Sequence, residues 1–398
     1  MRRIYFDHNA TTPVAPEVLA AALPFFCDDF GNASSIHSYG QRCRAAVERA
    51  RTQVAALLGA RPAEITFTSG GTESNNLAIF GIVENAEGPR HVITTTIEHS
   101  AVLNPCQALE TRGVEVTYVP VNREGLVDPA DIRRALRPHT LLITVMFANN
   151  ELGTVQPLEE IGRIAAEADV FFHADCVQAA GKIPVDVERL GLDLASISGH
   201  KLYATKGVGA LYVRSGTHLK PLLYGGKHER GRRPGTENVA GSVALGAAAE
   251  LAMQKLGSES ARLAALRDRL EAGILERVPL ARVNGSREHR TPNTTNILIP
   301  HIEGEAMVIA LDLKGLAFST GAACSSGAVE PSHVLTAIGL PKEDARACLR
   351  LSLGRSNTVD DVDYALTIIP EAIDRLRQLS PTYNRKPVPA DSKPVPAQ

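Results

Sequence analysis

From about residue 40 to about residue 250, short apolar runs alternate with helical patterns, and this alternation restricts the fold more than any other feature of the chain. Residues 64–68, 91–96, 114–119, 141–147, 170–173 and 192–198 read as strands. Residues 41–58, 74–85, 101–112, 129–136 and 158–168 read as helices, with Val47, Ala50, Val54, Leu57 and Leu58 at helical spacing in the first. Strands that are apolar throughout and separated by helices imply an α/β fold, with a mostly parallel sheet covered on both faces. Residues 208–213 are expected to add one antiparallel strand. Residues 225–235, Gly-rich and basic, read as a solvated loop, and 239–256 and 258–277 as two successive helices.

Beyond about residue 260 the pattern changes to strands (295–299 and 317–319) interleaved with helices. The expected division is a large domain over 16–258 and a smaller α+β domain made of 1–15 and 259–380. A Pro-rich tail over 381–398, with Lys-Pro-Val-Pro-Ala repeated, reads as disordered. At 398 residues the chain is long enough for two cores. A formal net charge of −2 gives no global field for nucleic acid or an anionic membrane, and Trp is absent. No apolar run approaches the length of a membrane span, and the N-terminus lacks a secretory pattern, so a cytoplasmic protein is expected. Six scattered cysteines form no short metal-ligand pair.

Chemistry concentrates at the ends of the strands, where open parallel sheets bind ligands. Lys201, in Ser198-Gly199-His200-Lys201, follows one strand, and Asp175 ends another. A lysine and an aspartate so placed suit pyridoxal phosphate, the lysine carrying the aldehyde as a Schiff base and the aspartate holding the pyridine nitrogen protonated. The segment 68–76, TSGGTESNN, joins a strand to a helix and suits a phosphate, although the same residues make an ordinary capped helix start. Gln178 is placed to reach the cofactor's phenolic oxygen, and His99 to stack on its ring and move protons. Asn149 and Asn150 also read as turn-formers. Cys324 lies in a run of small polar residues that offers it no core, which suits a thiol that attacks and carries sulfur. Cys348 and the run after it, 349–353, read as core. Arg355 is placed to clamp a substrate carboxylate, with a surface ion pair as the ordinary alternative.

Together these segments resemble the pyridoxal-phosphate-dependent cysteine desulfurases, within the class V aminotransferases of fold type I. The branch they resemble is the bacterial nitrogen-fixation and iron–sulfur-cluster one. The resemblance is carried by YFDHNATT at 5–12, TSGGTESNN at 68–76, EHSAVL at 98–103, NNELGTVQP at 149–157 and HADCVQAAGK at 173–182. SGHKLY at 198–203, GGKHERGRRPGTEN at 225–238, ACSSG at 323–327 and LSLGR at 351–355 complete it.

The resemblance implies that Lys201 forms the Schiff base, and that Gly71, Thr72, Ser198 and His200 hold the phosphate. It implies that Thr236 reaches the phosphate of a second subunit in a homodimer. Asp175, Gln178 and His99 would hold the ring, Asn150 and Arg355 the carboxylate of L-cysteine, and Cys324 the transferred sulfur as a persulfide. An iron–sulfur scaffold protein is the implied acceptor, with no nucleic acid, membrane or firm metal site; Cys324 is noted as a transient iron–sulfur ligand. Two positions depart from the family: Ala204-Thr205 after the lysine, and Cys176, a second and slower site of thiol modification. The rival readings are a selenocysteine lyase, a cysteine sulfinate desulfinase or an aminotransferase of the same fold. A metal- or cluster-binding protein using His173, Cys176 and Cys324 is the rival from another class.

Overall fold

The computed structural model describes residues 2–320, 331–381 and 383. Its strands, in chain order, are β1 (Ile4–Tyr5), β2 (Ile65–Thr68), β3 (His91–Thr95), β4 (Glu115–Val119), β5 (Thr140–Thr144) and β6 (Phe171–Asp175). They continue with β7 (Leu194–Ser198), β8 (Gly209–Val213), β9 (Arg282–Asn284), β10 (Thr294–Leu298), β11 (Leu316–Ala317) and β12 (Cys348–Ser352). Seven of them form one sheet in the order β2-β8-β7-β6-β5-β3-β4. Every pairing from β7 to β4 is parallel. Strand β8 pairs antiparallel with both β7 and β2, which is the direction expected for 208–213. Strands β3, β5, β7 and β8 are buried at nearly every position, which is why they read as continuous apolar runs rather than alternating ones.

One face of the sheet packs Ile93, Ile143, Phe172, Ala195 and Ile197 against the helices Ser38–Leu58, Leu158–Glu167 and the first half of Val239–Arg277. The other packs Val92, Leu142, Leu194 and Leu211 against Gly71–Val83 and Ser100–Glu110. A separate core joins Ile4, Phe6, Ile297, Leu316, Leu349 and Leu351 to Leu263, Leu266, Leu270 and Ile274, and to the helix Val359–Leu379. It is built on the antiparallel sheet β12-β10-β9 and the parallel pair β1-β11.

The two helices expected over 239–256 and 258–277 are one helix of 39 residues, Val239–Arg277. Gly257 was the expected break. Space around it is open, and a single exposed glycine costs a helix only about 1 kcal/mol. Burial of Ala244, Leu245 and Ala248 on one side of it, and of Leu266, Leu270 and Ile274 on the other, outweighs that cost. A β-carbon on Gly246 would lie 2.6 Å from Cα of Ala50, so the glycine lets this helix approach Ser38–Leu58 closely.

The stretch 225–235 is not a freely solvated loop. Glu229 accepts two bonds from Arg51, at 2.7 and 2.8 Å, and one from the Phe67 N–H at 2.9 Å. Both side chains of the pair are only 5% exposed. Glu229 and Arg230 take left-handed backbone angles, φ 44° and 58°, a conformation that costs a non-glycine residue about 1 kcal/mol or more each. The buried ion pair holds them there. Glu229→Ala would remove the buried partner of Arg51 and leave it only the half-exposed Glu48 and the Ile65 carbonyl, and is expected to lower unfolding free energy by about 2 kcal/mol or more, measured from the denaturant midpoint. A change within about 0.5 kcal/mol, typical of a solvated side chain, would contradict this placement.

Candidate active site

The carboxyl ends of β3, β5, β6 and β7 and the turn after β2 open onto one cavity of about 570 Å³. The strand ends contribute His99, Met146, Asn150, Asp175, Gln178, Ser198, His200 and Lys201; Gly71, Thr72 and Asn75 come from the helix after β2. Asn9, Ala10, Ser319 and Arg350 close the remaining wall.

At one end the helix Gly71–Val83 starts directly beneath the cavity. Its first N–H groups have no partner within the helix, so they and the helix dipole favour an anion. The turn is tightly packed: a β-carbon on Gly71 would lie 2.7 Å from Cγ2 of Val177, and one on Gly209 2.6 Å from Cα of Gly70. Glu73, in the first turn, is engaged by other partners. It accepts from Ser69 N–H at 2.8 Å and from Arg233 at 2.9 Å, and these bonds hold its carboxyl below the usual range against the opposing effect of burial. Ser198, His200 and Thr72 complete this end.

At the other end Asp175, 6% exposed, accepts from Asn75 Nδ2 at 2.7 Å and from Val177 N–H at 2.9 Å, so its carboxylate is fixed in orientation. His99 caps the helix Ser100–Glu110, its Nδ1 accepting from Ala101 N–H at 3.0 Å. The neutral ring therefore carries its proton on Nε2, and burial lowers its pKa. Lys201 donates to the carbonyls of Asn9 and Ala10, both at 2.6 Å. Burial, followed by the charge of Arg350, lowers its pKa to about 8. A lysine made nucleophilic near neutral pH, an oriented aspartate and an anion cradle at the far end form a donor set that fits pyridoxal phosphate.

Thr236, expected to reach the phosphate of a second subunit, is exposed and does not line this chain's own cavity. Arg355 lines a small pocket of about 30 Å³ that shares Lys201 with the cavity and also holds His8, Lys182 and Tyr203, its guanidinium lying 4.5 Å from the Tyr203 ring centre. The arginine on the cavity wall is Arg350, which donates to Asp7 at 2.7 Å and to the Asn150 carbonyl at 3.3 Å. Asn149 is the turn-former, accepting from Glu151 and Leu152 N–H at 2.9 Å, whereas Asn150 faces the cavity.

Cys324 lies outside the described residues, as does most of the tail from 381. Ser319 lies on the cavity wall; beyond the undescribed residues Ser332 donates to Glu151 at 2.6 Å and His333 to the Glu98 carbonyl at 2.9 Å. Both glutamates are buried, and burial raises Glu98 to about 8 and Glu151 to about 7. Cys176 is fully buried in the main core and burial raises its pKa, which does not suit a second site of modification. The nitrogens of His173 are bonded to Thr144 and Ser196 at 2.8 and 3.0 Å, and no group able to hold a metal exists among the described residues.

Asn9, Asn75, Arg350, Glu98 and Glu151 went unnoticed in the sequence. Only Arg350 had a periodic signal: it sits on the face of β12 opposite Leu349 and Leu351.

Comparison with known proteins agrees with this geometry. The profile of the aminotransferase class-V family matches residues 4–365. The cysteine desulfurase IscS of Dictyoglomus turgidum is 49% identical over 96% of this chain and 97% of its own length. That of Methanosarcina thermophila is 50% identical over 96% of this chain and 94% of its own. A solved structure described as a NifS-like protein superposes with a TM-score of 0.88 at 37% identity, covering 94% of this chain and all of its own. The chain belongs to the cysteine desulfurases of the class-V aminotransferase family. Desulfurases of this family are pyridoxal-phosphate enzymes, the cofactor that the cavity fits.

Only the neutral amine of Lys201 condenses with the cofactor aldehyde. With its pKa at about 8, the neutral fraction rises nearly tenfold per pH unit below that value. Uptake of the cofactor by cofactor-free protein, followed by visible absorbance, is expected to speed up between about pH 6 and 8 and to level off above. A rate still rising steeply beyond pH 9 would mean an unperturbed lysine.

Proposed function

We propose that this chain converts L-cysteine to L-alanine and retains the sulfur as a persulfide on Cys324, for delivery to iron–sulfur cluster assembly in the cytoplasm. The observation that carries the reading is Lys201 and Asp175 on the walls of one cavity, whose edge at Ser319 leads into the segment bearing Cys324.

The cofactor, when bound, supplies an electron sink that labilises the bonds at the substrate's Cα and Cβ. The protein's residues do the rest. Asp175 keeps the pyridine nitrogen protonated, and Gln178 contacts the phenolic oxygen. Gly71, Thr72, Ser198 and His200 hold the phosphate. Asn150 and Arg355 take the substrate carboxylate: Arg355 lines a small pocket that meets the cavity at Lys201, and its buried Nη1 has no partner among the described residues, whereas Arg350 is already paired with Asp7. Lys201, as a neutral amine, would take the Cα proton. His99, with its proton on Nε2, exchanges the proton of the substrate thiol. The Cys324 thiolate then attacks the substrate sulfur. An S–S bond forms, the C–S bond breaks, and its electron pair stays with the three-carbon fragment, which takes up protons and leaves as alanine.

A homodimer completes the site. Phe30, Ile36 and Tyr224 are 68%, 90% and 80% exposed, and Leu19, Leu23 and Phe26 are exposed beside them in sequence. Ser34 bonds to His228 at 3.3 Å, tying this apolar segment to the loop that carries Thr236. A face of this kind suits burial against a second copy, with Thr236 reaching the partner's phosphate site. Phe30→Ser with Ile36→Glu is expected to sediment as a monomer and to lose cofactor on dilution; an unchanged dimer would exclude this face.

The decisive assay is alanine release from L-cysteine with a reductant present, for wild type and Cys324→Ala side by side. Near-complete loss in Cys324→Ala is expected, and equal release would favour a lyase that needs no thiol. Arg355→Lys is expected to raise KM for cysteine tenfold or more, with Arg350→Lys smaller. The reverse order would move the carboxylate to Arg350.

A further inference from the structure

Lys182 has no part in the scheme above, yet it stands directly behind it. Its Nζ donates to Gln178 Oε1 at 2.5 Å and to Asn9 Oδ1 at 3.1 Å. Gln178 in turn donates from Nε2 to the Asn9 carbonyl at 3.0 Å, the same carbonyl that accepts from Lys201. Asn9 donates from Nδ2 to the Asn150 carbonyl at 3.1 Å and to Thr294 at 2.8 Å. Lys182 and Asn9 thus connect Gln178, Lys201 and Asn150, three residues that line the cavity.

A glutamine amide offers an oxygen on one side and a nitrogen on the other, and nearby donors and acceptors decide which way round it sits. Here the Lys182 amine donates at Oε1, and an acceptor-only carbonyl lies at Nε2. Only one orientation satisfies both, and it leaves the second N–H of Nε2 for the cavity that Gln178 lines.

We propose that Lys182 is a positioning residue: by bonding Gln178 and Asn9 it fixes the Gln178 amide so that an N–H, and not the oxygen, meets the ring oxygen of the bound cofactor. The proposal rests on the pyridoxal phosphate reading.

The charges around Lys182 add a second effect. Lys201 and Arg350 act on it as like charges, and the small pocket beside it also holds His8, Glu259 and Arg355. Burial, then those two cations, hold its pKa well below that of an ordinary lysine, so it is a donor retained at a cost. An N–H directed at the ring oxygen stabilises the deprotonated Schiff base more than the protonated one. Removing the donor should therefore raise the pH at which the Schiff base loses its proton.

The test is a pH titration of the visible absorbance of the holoenzyme. Lys182→Met, similar in length but without a donor, is expected to move the midpoint up by about one pH unit. Lys182→Arg, which keeps donors, should stay within about half of that. Gln178→Leu should give a similar rise, and the double variant with Lys182→Met should rise no further than either alone. If Lys182→Met does not fold, Lys182→Ala takes its place with the same expectation. A coloured, folded donor-less variant that titrates like the wild type, or a double variant whose shifts simply add, would overturn the proposal alone. A wild type that takes up no chromophore would overturn the cofactor reading together with it.

Discussion

Two main-chain carbonyls, those of Asn9 and Ala10, hold the Lys201 amine, and they come from the N-terminal segment, more than 190 residues earlier. The site cannot form until the N-terminal segment has crossed both cores. Ile4 and Phe6 anchor it in the smaller one, and Thr12 bonds back to the His200 carbonyl at 2.9 Å. Burying an amine against carbonyls, with no carboxylate in hydrogen-bond contact, is what depresses its pKa. The property the chemistry needs is therefore a product of long-range packing, and no short motif encodes it.

The sheet was legible because parallel strands buried on both faces leave continuous apolar runs, and helices between them leave a different period. Residues placed just beyond those runs, such as Asp175, Ser198 and Lys201, were legible for the same reason: strand ends share one edge. Legibility failed where a residue's role depends on a partner far away. Glu229 reads as part of a basic loop, and its burial follows from Arg51, 178 residues earlier. Gly257 reads as a helix break, and two separate cores overrule it. Arg350 leaves the core of Leu349 and Leu351 only by the alternation of its strand, whereas the stacking of Arg355 on Tyr203 depends on a residue 152 positions earlier.

The two buried glutamates follow a similar logic. With pKa values raised to about 8 and about 7, Glu98 and Glu151 exist largely or substantially as neutral acids near pH 7. Their partners are the Met146 N–H, the hydroxyls of Thr95 and Ser332, and the nearby charge of Arg350. Each fastens a strand end or a segment root at the cavity rim. They act as fixed pegs in a region where side chains with free rotation would spoil alignment.

The 39-residue helix has a mechanical consequence. At 1.5 Å per residue it is a rod of about 58 Å, and its two halves are embedded in different cores. A hinge between those cores would have to fracture the rod in mid-span and expose several main-chain bonds at once. The rod makes swinging of one core against the other stiff, so passage in and out of the cavity falls to small movements at its rim.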